Sequence, residues 1–381
     1  MRVLIDYRAA LRERSGVGEY THQLVAAMLA GFSSGPDALD LTLFSSSWKD
    51  RVGERSELRG ARVVDRRVPV RVLNLAWHRL GWPPAEALTG RTFDVTHSMH
   101  PLLLPASRAA QVVTIHDLNF LTHPERTRAE IRRDYAALAR EHAARADGII
   151  VVSRFTAREV ERHFGVAMDR LTVCMPGAPD WRPRTAPPVN GYALFFGTLE
   201  PRKNVGGLLD AYERLLGRRR DGEAPLPELV LAGKATDDSQ PWLERIRRAP
   251  LAGRVRHIGY VDPTNRRALY EGARFLVQPS FEEGFGLPVL EAMTLGVPVI
   301  ASNRGALPEV LGDAGPVVDA ENADALAAAI ARMVDDAAFA GACAAKGVQR
   351  ANDFSWTRTA ERAYEAYQRA IECRRKRIGA A

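Results

Sequence analysis

The chain has 381 residues, a formal net charge of +7 at pH 7, and hydrophobic residues at 46% of its positions. This length exceeds one ordinary hydrophobic core, so two domains are expected, and the apolar content excludes an intrinsically disordered chain. No apolar run reaches the about 20 residues that span a bilayer. No RNP-like aromatic motif or zinc-finger spacing is present, so nucleic acid is not expected as a partner. The positive charge favours smaller anionic partners.

The cysteines and the first residues bear on the compartment. Cys174, Cys343 and Cys373 are scattered without CxxC spacing, which argues against a zinc site and against a disulfide framework. The chain passes from Met1 and Arg2 directly into the strand-like VLIDY without a signal-peptide pattern. We therefore expect a cytoplasmic protein.

Short apolar strands alternate with longer amphipathic stretches through the first half of the chain. The predicted strands are MRVLIDY, LTLFS, FDVTHS, QVVTIHD, GIIVVS and LTVCMP, and the predicted helices cover 19–29, 128–144 and 156–164. Such alternation predicts a parallel sheet covered by helices on both faces.

The second half repeats this scheme after a proline-dense, aperiodic segment. The predicted strands are YALFFGT, ELVLAGK, VRHIGYV, RFLVQPS and PVIAS, and the predicted helices lie near 205–216, 242–247, 266–271, 308–311, 323–334 and 356–371. We predict an α/β fold with two Rossmann-like, doubly wound parallel-sheet domains facing across a cleft. The predicted divisions are 1–175, a linker at 176–190, 191–355, and a C-terminal helix at 356–381 that packs back on the first domain.

The segment PSFEEGFGLPVLEAMTLGVPVI, residues 279–300, combines a strand end, two acids, a glycine loop and a new helix. Gly286 frees the backbone for a close approach, and Pro288 is suited to the first helical turn. The free amides at such a helix start attract phosphate. Glu283 and Glu291 have E-x7-E spacing, so one carboxylate can meet the sugar end of a ligand while the other meets a ribose.

Three other motifs follow predicted strands. FFGTLEPRKN places Arg202 and Lys203 in a strand-to-helix loop, where paired cations suit a diphosphate, although charged loop residues are more often simply solvated. SGVGEYTHQL opens a helix with Gly16 and Gly18, a pattern that an ordinary tight turn also produces. TIHDL ends a strand with the polar pair His116 and Asp117.

His116 and Asp117 lie in TIHDL, at the carboxyl end of a predicted strand. A histidine there can hydrogen-bond a ligand hydroxyl, and the carboxylate can orient a ring or a hydroxyl. A structural pair that caps the next turn is the alternative. His97 and His100, near a neighbouring strand end, are weaker candidates for the edge of the cleft.

Residues 279–300, together with GTLEPRKN and TIHDL, resemble the signature of the retaining glycosyltransferases of family 4, which have GT-B architecture. These enzymes move a hexose from a nucleotide diphosphate sugar to an acceptor hydroxyl, and the resemblance covers nearly the whole chain. It favours the mannosyltransferases of polysaccharide assembly over the sucrose and glycogen branches. GDP-mannose is therefore the expected donor, with UDP-hexoses as the alternative.

The resemblance implies roles for individual residues. Glu283 binds hydroxyls of the donor sugar, Glu291 binds the ribose, and His116 and Asp117 place the hexose or the acceptor. The remaining expected donor-site residues are Arg202, Lys203, Gly16, Gly18, Thr198, Gly233, Phe285, Gly286 and Leu287. Thr198 departs from the family, in which an arginine commonly follows the strand glycine. Neither a metal nor a cofactor beyond the GDP- or UDP-linked co-substrate is implied.

The expected partners are a nucleotide sugar and a glycan or lipid-linked acceptor. Residues 62–84 interleave arginines with leucines and tryptophans. This pattern suits peripheral attachment to an anionic membrane surface. A partly packed loop of an acceptor domain fits it equally well.

Other classes of function stay open at this level. A GT-B epimerase or phosphorylase would use the same cleft without a separate acceptor, and a catalytically silent sugar-nucleotide binding module would keep only the fold. A Rossmann oxidoreductase is disfavoured because Thr21 stands where the third glycine of GxGxxG is needed.

Overall fold

The chain forms two compact units in the computed structural model, which describes residues 1–11, 14, 16–48, 50–53, 55–122, 135–220 and 224–379. The first unit comprises Met1–Gly177 and Ser355–Ala381, and the second comprises Ala178–Phe354. The chain therefore passes between the units twice, after Gly177 and after Phe354.

The first unit contains a sheet of seven parallel strands within its described residues, in the order β3-β2-β1-β4-β5-β6-β7. The strands are β1 (Arg2–Asp6), β2 (Asp40–Ser45), β3 (Arg62–Asp65), β4 (Val95–Ser98), β5 (Ala110–Ile115), β6 (Gly148–Val151) and β7 (Leu171–Val173). The strands are added outward on one side of β1 and then on its other side, and this change in strand order is typical of a doubly wound fold.

Helices of the first unit follow these strands. They are α1 (Val17–Gly31), α2 (Val70–Leu75) with a π-helical continuation (Ala76–Leu80), α3 (Ala85–Thr89), α4 (Asn119–Thr122), α5 (Tyr135–Arg145), α6 (Arg154–Phe164) and, from the far end of the chain, α14 (Trp356–Gly379). Among the described residues, no helix combines the length and the apolar character needed to cross a membrane.

Helix α14 packs tightly on the first sheet because small residues line the contact. A Cβ atom added to Gly148 at the start of β6 would lie 3.1 Å from Cβ of Ala370. Ala363 and Ala366 are also buried on this face of the helix. Tyr367 reaches between them into the core, where its hydroxyl lies 2.7 Å from Nδ1 of His97.

The second unit contains six parallel strands within its described residues, in the order β10-β9-β8-β11-β12-β13. They are β8 (Tyr192–Phe196), β9 (Leu229–Ala232), β10 (Val255–Gly259), β11 (Ala273–Gln278), β12 (Val299–Ser302) and β13 (Val317–Val318). Its helices are α7 (Val205–Arg218), α8 (Gln240–Arg245), α9 (Pro263–Glu271), α10 (Leu287–Thr294), α11 (Leu307–Leu311), α12 (Ala323–Asp335) and α13 (Ala337–Ala351).

The second unit buries continuous apolar strands, as a parallel sheet covered on both faces requires. Phe195 of β8 and Phe275 of β11 lie in a core that helices α7 and α12 complete with residues such as Leu208 and Ile330. The predicted fold class, two doubly wound parallel-sheet domains, is confirmed. The predicted helix at 128–144 is described only from Tyr135 onward.

Several elements were not predicted from the sequence: β3, α2, α3, α4, β13 and α13. The proline-dense segment also carries more structure than its composition indicates. Arg184 lies within it, donates through its guanidinium to the carbonyl oxygen of Ala273, and belongs to the second unit. The three cysteines are free.

Candidate functional site

The loops after β8 and β11 bring together the charged residues of the second unit. Nζ of Lys203 lies 2.5 Å from Oε1 of Glu283, and a guanidinium nitrogen of Arg202 lies 3.6 Å from Oε2. Lys203 and Glu283 are both buried. Because carboxyl ends of parallel strands meet at one edge of a sheet, residues 80 positions apart form one ion-pair cluster.

Neutral donors complete the environment of the Glu283 carboxylate. Nε2 of Gln278 and Oγ of Ser280 donate to its Oε1 over 2.9 and 2.8 Å. Burial alone would raise the pKa of Glu283, but the charges of Lys203 and Arg202 and hydrogen bonds from Lys203 and Ser280 lower it to about 2. The carboxylate is therefore ionised at neutral pH.

Two residues that the sequence interpretation missed hold this cluster in place. Asn204 adopts a left-handed backbone with φ of 55°. Its side-chain amide donates to the carbonyl oxygens of Pro279 and Ala320 over 3.1 and 2.7 Å, which ties the Lys203 loop to the Glu283 loop. Gly305 packs so closely that a Cβ atom there would lie 2.5 Å from the carbonyl oxygen of Glu283.

Helix α10 begins at Leu287, a short loop after Glu283. Its N-cap is Gly286, with φ of 102°, and Pro288 stands in the first turn as predicted. The side chain of Phe285 is buried against Phe354, with ring centroids 5.7 Å apart, so only the backbone of Phe285 can meet a ligand. The first amides of a helix lack intrahelical acceptors, and together with the helix dipole they favour an anion at Leu287.

Glu291 lies one turn into α10 and is held by two side chains of α9. A guanidinium nitrogen of Arg266 lies 2.9 Å from its Oε1, and the hydroxyl of Tyr270 donates to its Oε2 over 2.8 Å. All three side chains are buried. The sequence interpretation placed Arg266 on a helix but did not identify this contact.

Gly233 and Thr198 lie at neighbouring strand ends. A Cβ atom on Gly233 would lie 1.9 Å from the carbonyl oxygen of Gly197, and φ of Gly233 is 144°. The close approach of the two backbones therefore requires glycine at 233 whether or not a base binds there. Thr198 follows Gly197 directly and is partly exposed.

In the first unit, His116 follows β5 and carries one unsatisfied nitrogen. Its Nε2 is buried without a hydrogen-bond partner among the described residues. Burial lowers the pKa of His116 to about 4, so the ring is neutral at pH 7. In the tautomer that carries its proton on Nδ1, Nε2 is an acceptor that suits a ligand hydroxyl.

Other predicted residues of the first unit have local roles. Asp117 accepts from the backbone N–H of Asn119 over 3.2 Å, a capping contact that leaves it partly exposed. Gly16 is the N-cap of α1 with φ of 49°, and Gly18 lies in the first helical turn. Ser15, the first residue of that motif, lies outside the described residues.

His97 is a core residue and not the cleft-edge candidate that the sequence indicated. It is fully buried, and its ring nitrogens lie 2.7 Å from the hydroxyls of Tyr367 and Thr114. His100 is partly exposed and lies 3.5 Å from the buried carboxylate of Asp6, which Arg8 also pairs. This Asp6 cluster at the end of β1 was missed, because single charges beside a strand give no pattern.

Comparisons with known proteins agree with these strand-end clusters. Residues 14–180 match the family model described as Glycosyltransferase Family 4, and residues 190–336 match the model described as Glycosyl transferases group 1. O-antigen chain mannosyltransferase B of Escherichia coli is 36% identical over 305 residues, covering 76% of this chain and 79% of that protein. The chain belongs to the family 4 glycosyltransferases. The predicted family is confirmed, and the relative at 36% identity is a mannosyltransferase.

Further similarities extend over most of this glycosyltransferase. Glycogen synthase of Mycobacterium tuberculosis H37Rv is 30% identical, covering 92% of this chain and 90% of that protein. Sucrose-phosphate synthase from Thermosynechococcus elongatus superposes with a TM-score of 0.78 at 20% identity, covering 100% of both chains. WaaG, a glycosyltransferase involved in lipopolysaccharide biosynthesis, superposes with a TM-score of 0.70 at 15% identity, covering 96% and 99%. The structural neighbours show the GT-B fold.

Proposed function

We propose that this glycosyltransferase moves mannose from GDP-mannose, with retention at the anomeric carbon, to a hydroxyl of a glycan or lipid-linked saccharide in cell-surface polysaccharide synthesis. The buried contact of Lys203 and Arg202 with Glu283, beside the start of α10, carries the proposal. The 36% identity to an O-antigen mannosyltransferase supports mannose over other hexoses. A serotype-specific mannosyltransferase of Escherichia coli, 28% identical over 68% of this chain, adds to that support.

The proposed reaction needs no protein nucleophile. The bond between the anomeric carbon and the diphosphate oxygen breaks, and its electron pair leaves with the phosphate. The acceptor oxygen bonds to the same face of the sugar, and its proton passes to the departing phosphate oxygen. Lys203, Arg202 and the first amides of α10 stabilise the negative charge that develops on the leaving group, so no metal ion or further cofactor is needed.

The ion pair of Glu283 fits a role in binding the donor sugar. Its carboxylate is already ionised and fixed before the donor enters, so it accepts hydrogen bonds from hexose hydroxyls without reorganisation. Lys203 and Arg202 then lie between this carboxylate and the diphosphate. For the other residues we propose that Glu291 accepts from the ribose, Nε2 of His116 accepts from a hexose hydroxyl, and Asp117 orients the acceptor.

The variant Glu283→Gln tests this assignment because it keeps the shape of the side chain and removes its charge. We expect transfer to fall by about 100-fold or more, while the circular dichroism spectrum is retained. Glu271→Gln is the matched control, since Glu271 pairs with Arg267 at an exposed position of the same unit. Undiminished turnover in Glu283→Gln would refute the assigned role. The anomeric configuration of the product, read by NMR, tests retention, and activity after chelation tests metal independence.

The donor is identified by thermal stabilisation. A true donor binds only the native state and raises its melting temperature by mass action. GDP-mannose is expected to stabilise the protein more than UDP-hexoses do. A UDP-hexose is the second candidate, because the fold neighbour Alr3699/HepE of Anabaena, with a TM-score of 0.68, has been solved in complex with UDP and glucose. Conversion of a nucleotide sugar without an acceptor would instead identify an epimerase.

We also propose peripheral attachment of the first unit to an anionic membrane at the cytoplasmic face. The apolar side chains of residues 62–82 face two ways: Leu73 and Trp77 are buried, whereas others are among the most exposed large hydrophobic side chains described. The exposed fractions are 59% for Val72, 63% for Leu75, 74% for Leu80 and 66% for Trp82. The same stretch of sequence carries exposed arginines, which suit acidic lipid headgroups: Arg62, Arg66, Arg67, Arg71 and Arg79.

Sedimentation with phosphatidylglycerol-containing vesicles tests this attachment. The double variant Leu80→Ser, Trp82→Ser is expected to lose most binding, while Trp48→Ser, which alters a tryptophan with 67% exposure elsewhere in the same unit, is expected to keep it. Equal binding by the two variants, or binding to neutral vesicles alone, would contradict the proposal.

A further inference from the structure

The contacts of Glu291 extend beyond the single carboxylate expected to meet the ribose. Arg266 and Tyr270 are four residues apart on α9, so they project from one face of that helix. Arg266 meets Oε1 and Tyr270 meets Oε2, over 2.9 and 2.8 Å. Both carboxylate oxygens therefore accept hydrogen bonds from α9, which fixes the rotation of the carboxylate plane as well as its position.

Aromatic packing holds the two gripping side chains in turn. The ring of Tyr270 meets Phe196, at the end of β8, edge to face with centroids 5.7 Å apart, and Trp181 lies 6.1 Å from it on another side. The guanidinium of Arg266 lies 5.9 Å from the centroid of Phe196. Tyr270 is fully buried, and burial, together with the Glu291 charge, raises its pKa well above the ordinary value, so its hydroxyl stays a donor.

We propose that Tyr270 and Arg266 are positioning residues that make Glu291 selective for a ribose diol over a deoxyribose. This inference rests on the proposed ribose contact of Glu291. Because Arg266 holds Oε1 and Tyr270 holds Oε2, two side chains of one helix fix the plane of the carboxylate. A carboxylate with a fixed plane presents its two oxygens to two neighbouring hydroxyls together, whereas one that rotates satisfies them less well.

The readout is the ratio of dissociation constants for 2′-deoxy-GDP and GDP, with 2′-deoxy-UDP and UDP measured in parallel by calorimetry. Tyr270→Phe removes one hydrogen bond to Glu291 and keeps the ring packing. We expect it to lower the preference for the ribonucleotide by about fivefold, the equivalent of one hydrogen bond. Glu291→Gln removes the carboxylate itself and should abolish the preference for the ribonucleotide, which gives the largest change that the assay can show.

Tyr212→Phe is the matched control. Tyr212 is also a fully buried tyrosine of the second unit, and its hydroxyl bonds the carbonyl oxygen of Pro227, far along the chain from Glu291. A general loss of stability would affect both tyrosine variants, whereas the ribose preference should change in Tyr270→Phe alone.

The outcomes separate the two levels of proposal. If the wild-type protein binds neither GDP nor UDP, the proposed function fails and the positioning role fails with it. If nucleotide binding and transfer are intact and Tyr270→Phe keeps the ratio of Tyr212→Phe, the positioning role alone is overturned.

Discussion

The loop after β11 holds Glu283 ionised against Lys203, whereas the loop after β5 in the other unit holds His116 neutral. Both side chains follow an inner strand of a doubly wound sheet, although β11 pairs with the first strand of its unit and β5 lies one strand further out in its own. Their charge states differ because Glu283 is buried with cations and His116 is buried without a carboxylate close enough to offset desolvation. The same fold thus supplies a fixed charge in one unit and a neutral acceptor in the other.

The largest expected effect comes from removing the cation of the charged cluster. Lys203→Met leaves Glu283 buried beside Arg202 alone, and breaking a buried ion pair costs about 3–5 kcal/mol of the free energy of unfolding. Transfer should fall by about 100-fold or more, because the variant also removes a positive charge that stabilises the leaving diphosphate. Urea denaturation and initial rates measure the two effects.

Lys346→Met provides the comparison for that variant. Lys346 pairs with Asp313 at an exposed position of the same unit, where the pair is expected to contribute little. If the two lysine variants have equal stability and equal turnover, the buried pair has no special role and the contrast between the units disappears.

An intermediate effect is expected from the glycine that packs on the Glu283 backbone. Gly305 and Gly253 both have left-handed φ, 62° and 72°, so alanine at either position costs about 1–2 kcal/mol from the backbone alone. Only at Gly305 would the new Cβ meet another backbone, 2.5 Å from the carbonyl oxygen of Glu283, whereas Gly253 has open space. Gly305→Ala should therefore lower transfer by about 10- to 100-fold, and Gly253→Ala should not. Equal rates would show that the position of Glu283 is not critical.

The smallest effect is a difference in acid sensitivity between the units. Burial lowers the pKa of His97 to about 3 and that of His116 to about 4, so below pH 6.5 the unfolded chain binds protons that the folded first unit does not. Stability of that unit should fall as the pH decreases from about 6.5 toward 4. The contribution of Glu283, whose pKa is lowered to about 2 from 4.5, is lost only below pH 4.5.

Hydrogen exchange of the intact chain, corrected for the intrinsic pH dependence, measures this difference peptide by peptide. Peptides of the first sheet should lose protection at a higher pH than peptides of the second. His97→Gln should weaken the response of the first unit without abolishing it, because His22, His78 and His116 keep lowered pKa values. His163→Gln, at a partly exposed position on α6, should leave the response unchanged. Simultaneous loss in both sheets would contradict the contrast.

The repeating elements were predictable because their signals are local. Apolar strands and amphipathic helices can be recognised from a few consecutive residues, and the doubly wound class follows from their alternation. Helix α13 was missed because glycines at 341 and 347 weaken its helical signal. Strand β3 was missed because its residues are exposed or only partly buried, so its apolar pattern is short.

The site was predictable by residue but not by contact. Glycines, acids and cations at strand ends indicated Glu283, Lys203 and Glu291, yet their bonds to one another and to α9 depend on packing between distant segments. Gln278 and Asn204 carry no charge and match no sequence pattern. Their hydrogen bonds at the cluster are therefore seen only in the structure. His97 did give a signal, since it stands within an apolar strand, and that pattern favours a core histidine.

The order in which the two units complete themselves follows from the return of α14 to the first sheet. The second unit is one continuous stretch, Ala178–Phe354, whereas the first needs Ser355 onward. During synthesis on the ribosome, the first sheet emerges early but waits, with the Gly148 face uncovered, until Trp356–Gly379 has been translated. A nascent chain arrested before residue 355 would thus carry a finished second unit and an unfinished first unit, and the exposed face would make it a target for chaperones.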